Sequence, residues 1–389
     1  MDRDRRSAVR SGSRFPAAAR RLDFDVAFGY GYAQSMQLTS LAKDAYRKRQ
    51  YIRWLIHDER TNRRPIPRAE RLRAWKAGFL SLTYRMCQID RNGPKDYVTD
   101  RMRYLRTPFL NGSYSVVLDD KLIFNEVFRR HPGLLPETYA LFRRDRVLPL
   151  SSDRVVSYDD VLRLLDAKGR LVVKPTTGGG GGNVVVLERR ADGVAWNGEV
   201  GAPERLRERL KSSRDRLLTE FVQQARYAQE IHPGSANTIR VLCLWNDDEK
   251  EPFVARAVHR FGSPATIPVD NITQGGLDAL VDLESGRLGR GARMTPDGRP
   301  EWHDSHPDTG ARIEGVQVPR WRETLDALLA VHSKYPELPY VGWDVVVTED
   351  GFKLLEGNNM SGLWMFQVHG PLLANPRVRR FFERRKVLR

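Results

Sequence analysis

The sequence of 389 residues contains only two cysteines, Cys87 and Cys243, and they lie far apart. Small disulfide-stabilised domains need many closely spaced cysteines, so that class is excluded and a reducing compartment is expected. No apolar run approaches the roughly 20 residues that an α-helix needs to cross a bilayer. The charged N-terminus has no apolar segment of the kind found in secretory signals. We therefore expect a cytoplasmic protein, either free or bound peripherally to the inner face of the membrane.

Several common motifs are also missing. The chain has five consecutive glycines, but no Gly-Lys-Ser/Thr follows them and no helix is predicted after them. This excludes both a P-loop and a dinucleotide-binding fingerprint. No sequence period of 20 to 50 residues repeats, so a solenoid is excluded. No arrangement of serine, cysteine and histidine indicates a covalent enzyme intermediate.

Residues 171–188 predict a strand, a glycine loop and a second strand. Glycine leaves the backbone N–H groups unobstructed, so the loop can wrap a phosphate chain. Lys174 precedes the loop and is expected to reach the phosphates from the base of the hairpin. A flexible linker is the alternative, but linkers are seldom bracketed so closely by two apolar strands. The loop glycines are Gly178, Gly179, Gly180, Gly181 and Gly182.

A second hairpin is predicted over residues 341–359. With Glu349-Asp350-Gly351 as its loop, Thr348 pairs with Phe352 and Asp344 lies opposite Glu356. Opposed residues share one face of the sheet, and Asn358 points the same way. Two facing carboxylates favour a hard cation such as Mg²⁺ between them. The alternative is an edge hairpin with solvated acids, and a slip of one residue would separate the pair.

The segment between the two hairpins adds an acidic and two basic candidates. Glu220 interrupts an apolar strand whose backbone is suited to contact an adenine edge. Arg240 and Arg260 lie on two further strands, where guanidinium groups near phosphates stabilise transition-state charge. A polar loop, residues 269–276, follows. Exposed arginines on strands are common, so these residues indicate a phosphate site only in combination with the two hairpins.

The order of these motifs resembles that of the ATP-grasp superfamily. More specifically, it resembles the sugar-transfer-associated proteins, which are relatives of the teichuronopeptide-biosynthesis type. The resemblance extends over residues 119 to 370 and includes Asp120-Lys121, Gly342-Trp343-Asp344 and Glu356-Gly357-Asn358. It implies an α+β ATP-grasp fold, in which two α+β subdomains clasp ATP, preceded here by a basic, mainly helical N-terminal region.

The resemblance also implies roles for individual residues, with ATP and Mg²⁺ as cofactors. Lys174 and the five loop glycines would contact the phosphates, and Glu220, Phe221 and Val222 would lie at the adenine. Asp344, Glu356 and Asn358 match magnesium ligands, whereas Arg240, Arg260 and Asn271 match positions near the transferred phosphoryl group. Many relatives carry a basic residue two positions before the metal-binding Asp, but Gly342 stands there in this sequence. The positive charge must therefore come from another strand.

Positive charge is concentrated near the N-terminus. Residues 1–106 contain 25 Lys+Arg against 11 Asp+Glu, a net charge of +14 out of +16 for the whole chain. We expect a basic disordered tail over residues 1–22, a basic helical region over 23–118 and a linker over 119–150. The two ATP-grasp subdomains are expected over residues 151–235, with the glycine hairpin, and 236–389, with the magnesium site.

Within the basic region, helices are predicted from Ala33 to Arg91, separated at Pro65 and Pro67. A solvated arginine face is the favoured interpretation of their charge. An anionic membrane surface is the second interpretation, and nucleic acid is not expected because no nucleic-acid-binding motif is present. Apolar residues recur at steps of three and four, which predicts an amphipathic helix: Leu72, Trp75, Phe79, Leu82 and Met86.

The sequence therefore predicts an ATP- and Mg²⁺-dependent carboxylate–amine ligase that acts through an acyl phosphate. Its expected partners are a small-molecule or glycan acceptor with a carboxylate, and an amine co-substrate, in surface polysaccharide biosynthesis. The substrate class comes from the resemblance alone. Two alternatives stay open: a kinase for a sugar hydroxyl, and a nucleotide-binding scaffold without catalysis.

Overall fold

A computed structural model describes residues 40–143, 146–179, 181, 183–211 and 215–388, with side chains from residue 45 onward. The predicted tail (1–22), Gly180 and Gly182 lie outside these residues. The helices are α1 (Ser40–Thr61), α2 (Arg68–Lys76), α3 (Ser81–Met86), α4 (Ile89–Asn92), α5 (Asp100–Leu105), α6 (Val116–Asp119), α7 (Lys121–Phe128), α8 (Tyr158–Lys168), α9 (Pro203–Lys211), α10 (Arg226–Ile231), α11 (Trp321–His332), α12 (Leu363–Gln367) and α13 (Pro376–Arg384). None of these helices is both long and apolar enough to cross a lipid bilayer.

The strands form two antiparallel, seven-stranded sheets with the orders β2-β1-β7-β3-β4-β5-β6 and β12-β11-β10-β9-β8-β13-β14. The first sheet contains β1 (Thr138–Arg143), β2 (Arg146–Pro149), β3 (Arg170–Pro175), β4 (Val185–Arg190), β5 (Gly193–Trp196), β6 (Glu199–Gly201) and β7 (Arg216–Glu220). The second contains β8 (Ile239–Asn246), β9 (Glu251–Phe261), β10 (Leu277–Val281), β11 (Leu288–Met294), β12 (Pro300–His303), β13 (Tyr340–Thr348) and β14 (Gly351–Asn358).

The first sheet packs its apolar face against α8 and α9, which present Val161, Leu165, Leu206 and Leu210 to the core. Helix α8 begins with a capping box, in which Ser157 accepts the Asp160 N–H while Asp160 accepts the Ser157 N–H. Such a cap satisfies backbone donors that the first helical turn leaves unpaired. The predicted glycine hairpin is present as the pair β3–β4. Strands β1 and β2, within the segment that we expected to be a linker, belong to this sheet.

The second sheet is covered on both faces at its centre. Every residue of β8 except Asn246, and every residue of β13 except Thr348, is buried, as expected for near-continuous β-branched and apolar runs. Helix α11 packs Trp321, Leu325 and Leu328 against one face, as its helical period predicts. Helices α12 and α13 cover the other face. The sheet therefore holds its polar residues in fixed positions between two apolar layers.

The predicted pairing of Asp344 with Glu356 in the β13–β14 hairpin is confirmed, but the predicted turn is wrong. Thr348 pairs with Gly351, not with Phe352, so the loop is one residue shorter than expected. A β-bulge at Leu355 then adds one residue to β14 between the turn and Glu356. A bulge places two residues opposite one and shifts the register by one. The two deviations cancel at Asp344.

The N-terminal helices differ from the expected single amphipathic stretch. Gly78, with a φ of +84°, separates α2 from α3. Phe79 and Met86 are buried, but Leu72 and Trp75 are 54% and 51% exposed, so the predicted apolar face is wrong for these two. The glycine turn changes the direction of the chain. The two residues before it consequently do not share a face with those after it.

Arg85, which forms a buried ion pair within the N-terminal helices, also fixes this helical region to the second sheet. The Arg85 guanidinium donates to both Glu70 carboxylate oxygens, at 2.6 and 2.7 Å. It also donates to the Asp297 carbonyl, at 2.7 Å, in the turn between β11 and β12. Hydrogen bonding to Glu70 raises the pKa of Arg85 although burial opposes the charge. The N-terminal helices are therefore held against the body of the protein.

We expect Glu70→Gln to lower the free energy of unfolding by about 3 kcal/mol, because it removes the buried, two-contact carboxylate of Arg85 and leaves only the half-exposed Asp297 carboxylate at 3.2 Å. Glu314→Gln is the matched control. It breaks an exposed pair with Arg312 and should cost less than about 1 kcal/mol. Urea denaturation of both variants measures the difference, and equal losses would contradict the anchoring role of Arg85.

Candidate functional site

A cleft of about 400 Å³ lies between the two sheets. All predicted site residues within the described part of the chain line it, although they come from widely separated segments. They are Lys174, Gly178, Gly179, Gly181, Glu220, Phe221, Val222, Arg240, Arg260, Asn271, Asp344, Glu356 and Asn358.

A row of charges crosses one face of the second sheet at this cleft. Asp344 on β13 lies opposite Arg240 on β8 and opposite Glu356 on β14. The Arg240 guanidinium binds Asp344 with two nitrogens, and the second contact measures 2.9 Å. Arg260 approaches the same carboxylate at 3.3 Å. Because paired residues on neighbouring strands point to the same side, the sheet register itself creates this row.

Asp344 is buried but charged. Burial raises the pKa of its carboxyl, yet the guanidinium groups of Arg240 and Arg260 more than offset this and hold the pKa below its usual range. Gly342 leaves room for the Arg240 guanidinium group beside Asp344. A side chain at this position would collide with Ser361 Oγ at 1.9 Å and approach Arg240 Cδ at 3.2 Å. Ser361 and Arg240 of the neighbouring strand therefore occupy the space that a side chain at position 342 would need.

Two lysines face this row from the first sheet's side. Lys121 contacts the Glu356 carboxylate at 3.0 Å and donates to the Gly178 carbonyl at 2.7 Å. Lys174 donates to the Leu355 carbonyl at 3.4 Å. Burial, and then the charge of Lys121, lower the pKa of Lys174 to about 8, although Glu356 opposes the shift. The glycine hairpin is thus tied to the carboxylate hairpin through two cations.

The backbone around α7 positions Lys121. Asp120 caps the helix by accepting the N–H groups of Leu122 and Ile123. The Lys121 N–H donates to the Thr176 carbonyl at 2.7 Å, directly before the glycine loop. Lys121 is a site residue that the sequence-based assignment missed. Asp120-Lys121 is one of the motifs that resemble the ATP-grasp family, so the sequence pointed to this segment without indicating a role for the lysine.

At the other end of the cleft, Glu220 is the last residue of β7, and it forms hydrogen bonds with Glu137 in the segment before β1. Its N–H donates to the Glu137 carbonyl at 2.8 Å, and its carboxylate accepts the Glu137 N–H at 3.1 Å. Phe221 follows, with the Arg170 guanidinium 4.0 Å from its ring centre. Val222 completes this wall. The wall is partly apolar, and its backbone is fixed at Glu220 by the two hydrogen bonds to Glu137.

The loop after β9 closes the remaining side of the cleft. Asn271 accepts the N–H of Thr273 at 3.0 Å and so caps a short 3₁₀ turn. A side chain at Gly276 would lie 2.7 Å from the Phe261 carbonyl, which explains glycine there. Asp270, a second missed residue, accepts the N–H and hydroxyl of Thr238 at 2.8 and 2.6 Å. Arg260 Nε lies 3.5 Å from the Asp270 carboxylate and 3.0 Å from the Thr238 hydroxyl oxygen. These two residues thereby orient Arg260.

Asp344, Glu356 and Asn358 are oxygen donors of the kind that Mg²⁺ prefers. Asn358 uses its side-chain N–H group to donate to the Gly342 carbonyl at 3.1 Å. No hydrogen bond to its side-chain oxygen is found among the described residues. The same part of the chain contains no group of three or more His, Cys, Asp or Glu side chains suited to a metal. Two carboxylates and an amide still fit magnesium, which usually binds one or two carboxylates together with substrate phosphates.

The family model of sugar-transfer associated ATP-grasp proteins matches residues 101–381. The chain belongs to this family. The predicted α+β fold is confirmed, because two antiparallel sheets with a cleft between them follow a helical N-terminal region. No curated protein matches the sequence.

Solved structures of ATP-grasp ligases are similar at low identity. The ligase PsnB, in complex with a phosphomimetic precursor variant, Mg and ADP, is 14% identical over 69% of this chain and 60% of its own, with a TM-score of 0.34. D-alanine-D-alanine ligase from Coxiella burnetii is 14% identical over 70% and 59%, with a TM-score of 0.37. D-cycloserine synthetase DcsG is 13% identical over 70% and 73%, with a TM-score of 0.40. The family assignment therefore rests on the family model.

The lowered pKa of Lys174 predicts a pH-dependent stability. Its pKa is about 8 in the folded protein against 10.5 ordinarily, so the unfolded chain holds the proton over a range in which the folded protein has lost it. The free energy of unfolding should therefore rise with pH between these values. We expect Lys174→Met to be more stable than the wild type at pH 7, with a difference that shrinks toward pH 10. Urea denaturation measures this, and a pH-independent difference would contradict it.

Proposed function

We propose that this protein is an ATP- and Mg²⁺-dependent carboxylate–amine ligase that activates its acceptor as an acyl phosphate. The observation that carries the proposal is the pairing of Asp344 with Glu356 directly across from Lys174 and Lys121. Such a site can accept a triphosphate with a divalent ion, since cations and oxygen donors converge at one end of the cleft. The wall at the other end would suit an adenine, since it offers the Phe221 side chain and the backbone at Glu220, which Glu137 holds in place.

Asp344, Glu356 and Asn358 would hold magnesium. When bound, the ion neutralises charge on the β- and γ-phosphates and orients them. Lys121 would contact the phosphate chain because it lies between the glycine loop and Glu356. Lys174 would do so because it extends from the glycine hairpin to the Leu355 carbonyl, next to Glu356. The glycine loop, Gly178 to Gly182, would cover the phosphates and exclude water.

The reaction proposed has two steps. The acceptor carboxylate oxygen bonds to the γ-phosphorus of ATP, and the bond between this phosphorus and ADP breaks. The amine then attacks the acyl carbon, inorganic phosphate leaves with the carbon–oxygen bond electrons, and the amine proton passes to solvent. Arg240 and Arg260 would offset the charge on the transferring group. Asn271 would shape the loop on the acceptor side.

The acceptor is proposed to be a sugar or glycoconjugate in surface polysaccharide synthesis, because the family of the chain is described as sugar-transfer associated. The reaction is placed in the cytoplasm, where ATP is supplied. The free, buried thiols of Cys87 and Cys243 agree with a reducing compartment.

Product analysis tests the ligase assignment. We expect ADP and free phosphate to form only when both a carboxylate acceptor and an amine are present, together with an amide product detected by mass spectrometry. If a phosphorylated sugar forms and no amine is required, the protein is a kinase and the ligase assignment is wrong. Tight Mg²⁺–ATP binding without any turnover would indicate a scaffold.

We expect Glu356→Gln and Asp344→Asn to lower turnover by at least about a hundredfold, the scale of losing one electrostatic group in an active site. Asp350→Asn, in the turn of the same hairpin, is the control and should keep turnover within about twofold, as expected for a surface substitution. Unfolding curves establish that each variant is folded. Near-wild-type turnover in both cleft variants would refute the metal assignment.

We also propose that the basic N-terminal helices bind an anionic membrane surface. Helix α1 exposes Ile52 and Ile56 at 42% and 44%, and α2 exposes Trp75 next to Lys76. Apolar side chains among cations suit an interface with anionic headgroups.

Vesicle co-sedimentation tests this association. We expect binding to phosphatidylglycerol vesicles but not to phosphatidylcholine vesicles. Trp75→Glu should weaken binding about fivefold or more, because one charge near such a surface changes the binding energy by about 1 kcal/mol. Val200→Glu, at an exposed apolar residue of the first sheet, is the control. Equal binding to both vesicle types would contradict the proposal.

A further inference from the structure

A second cleft, of about 360 Å³, lies among the N-terminal helices, and Thr273 of the loop after β9 and Trp364 of α12 complete its wall. Arg103, Thr273 and Trp364 line both this cleft and the first one, so the two spaces meet at these residues. A molecule in the second cleft can therefore present one end to the predicted phosphate end of the first. A volume of this size falls within the range of about 300–1,000 Å³ typical of ligand pockets.

Much of the wall of the second cleft is formed by residues 58–64 and 80–86. Both segments precede residues 101–381, which match the family model. The family assignment therefore says nothing about what this cleft holds. The chemistry of the wall must be taken from its own side chains.

Two buried donors in this wall have no hydrogen-bond partner among the described residues: Asn62 Nδ2 and Arg64 Nε. The Asn62 side-chain oxygen is occupied, since it accepts the Arg64 N–H at 3.3 Å. Leaving a buried donor unpaired costs about 1–3 kcal/mol. Both nitrogens are themselves inaccessible to solvent, so a ligand that supplies oxygen acceptors would satisfy them once the two side chains rotate toward the cleft.

The acids of the wall, in contrast, are engaged. Asp58 accepts the Tyr104 hydroxyl. Glu59 accepts the Ser81 N–H at 2.8 Å and pairs with Arg71 at 2.7 Å. Asp100 accepts the Leu80 N–H at 2.8 Å. The unpaired groups are therefore donors, which favours an oxygen-rich molecule. Because Asp58, Glu59 and Asp100 also line the cleft, a negative charge on this molecule is favoured only at the end near Arg103.

Arg103 stands where the two clefts meet. Its Nε donates to the Ser361 carbonyl at 2.9 Å, and its guanidinium lies 4.7 Å from the Tyr104 ring centre. Within the described part of the chain, no carboxylate lies within ion-pair distance of it. The Ser361 hydroxyl accepts from Arg240 at 3.4 Å, which places Arg103 beside the charge row. A carboxylate bound to Arg103 would thus lie next to the predicted phosphate site.

We propose that the second cleft binds the carboxylate substrate as a sugar acid, with its carboxylate on Arg103, its ring against Trp364 and its hydroxyl oxygens on Asn62 and Arg64. The flat apolar face of an indole suits the C–H face of a sugar ring. This inference rests on the proposed ligase function and adds the acceptor class and its location. The N-terminal helices thereby form half of the substrate site.

Hydrogen exchange of the full chain with Mg²⁺ and a non-hydrolysable ATP analogue tests the location. D-glucuronate, D-galacturonate and D-mannuronate serve as probes. We expect at least one of them to protect residues 58–64 and 80–86, beyond the protection given by nucleotide alone. Nucleotide protection of the glycine hairpin without such an effect from any of the three would overturn the sugar-acid site and leave the ligase proposal standing. Absence of nucleotide protection would instead count against the ligase proposal.

Asn62→Asp tests the unpaired donor directly. The substitution is isosteric and keeps the oxygen that accepts the Arg64 N–H, but it replaces the free donor by a negative charge. We expect the Kd of the protecting sugar acid, measured by titration calorimetry, to rise about tenfold or more, as expected for a lost hydrogen bond to a charged or polar ligand. The Kd of the ATP analogue should stay within about twofold.

Arg73→Gln, at an exposed residue of α2, removes one positive charge elsewhere on the same region and should leave both Kd values unchanged. Arg103→Lys keeps the charge but loses the fork of donors, and should also weaken the sugar acid selectively. Wild-type affinity for the sugar acid in Asn62→Asp and Arg103→Lys would overturn the proposal.

Discussion

The burial of Asp344 between two arginines is the interaction on which the site depends. A carboxylate inside an apolar sheet is costly unless cations and hydrogen bonds accompany it. Arg240 provides two contacts from the neighbouring strand, and Arg260 provides another from the next strand. These contacts require β8, β9 and β13 to keep their register. The same register places Glu356 on the cleft side of Asp344.

The charges also link the two sheets. Lys121 bridges the glycine loop and Glu356, and its own backbone is bound to the segment before that loop. Nucleotide and metal would compete for groups that are already paired with each other. Binding in the cleft would thus exchange protein ion pairs for phosphate and metal contacts, while the apolar layers around the second sheet keep the framework fixed. The N-terminal helices, held by Arg85, close the space beside it.

The sequence predicted those parts of the site that depend on local patterns. Alternating and β-branched runs indicated the strands, and the glycine run and the Asp344–Glu356 spacing indicated the two hairpins. The bulge at Leu355 was not predictable, because a bulge depends on packing around both strands; it compensated for the turn that was misplaced by one residue. The exposure of Trp75 was missed because the helical period ignored Gly78. Asn62 and Arg64 gave no sequence signal, since their significance arises only from a tertiary cleft.

The central claim is that Asp344 and Glu356 bind a divalent ion together with a nucleotide triphosphate. A crystal structure of the full chain with Mn²⁺ and a non-hydrolysable ATP analogue tests this most directly, since Mn²⁺ is located by its anomalous scattering. The account predicts an anomalous peak within coordination distance of both carboxylates and of the nucleotide's phosphates. A nucleotide bound in the cleft with the metal elsewhere, or with Asp344 still held only by Arg240 and Arg260, would contradict it.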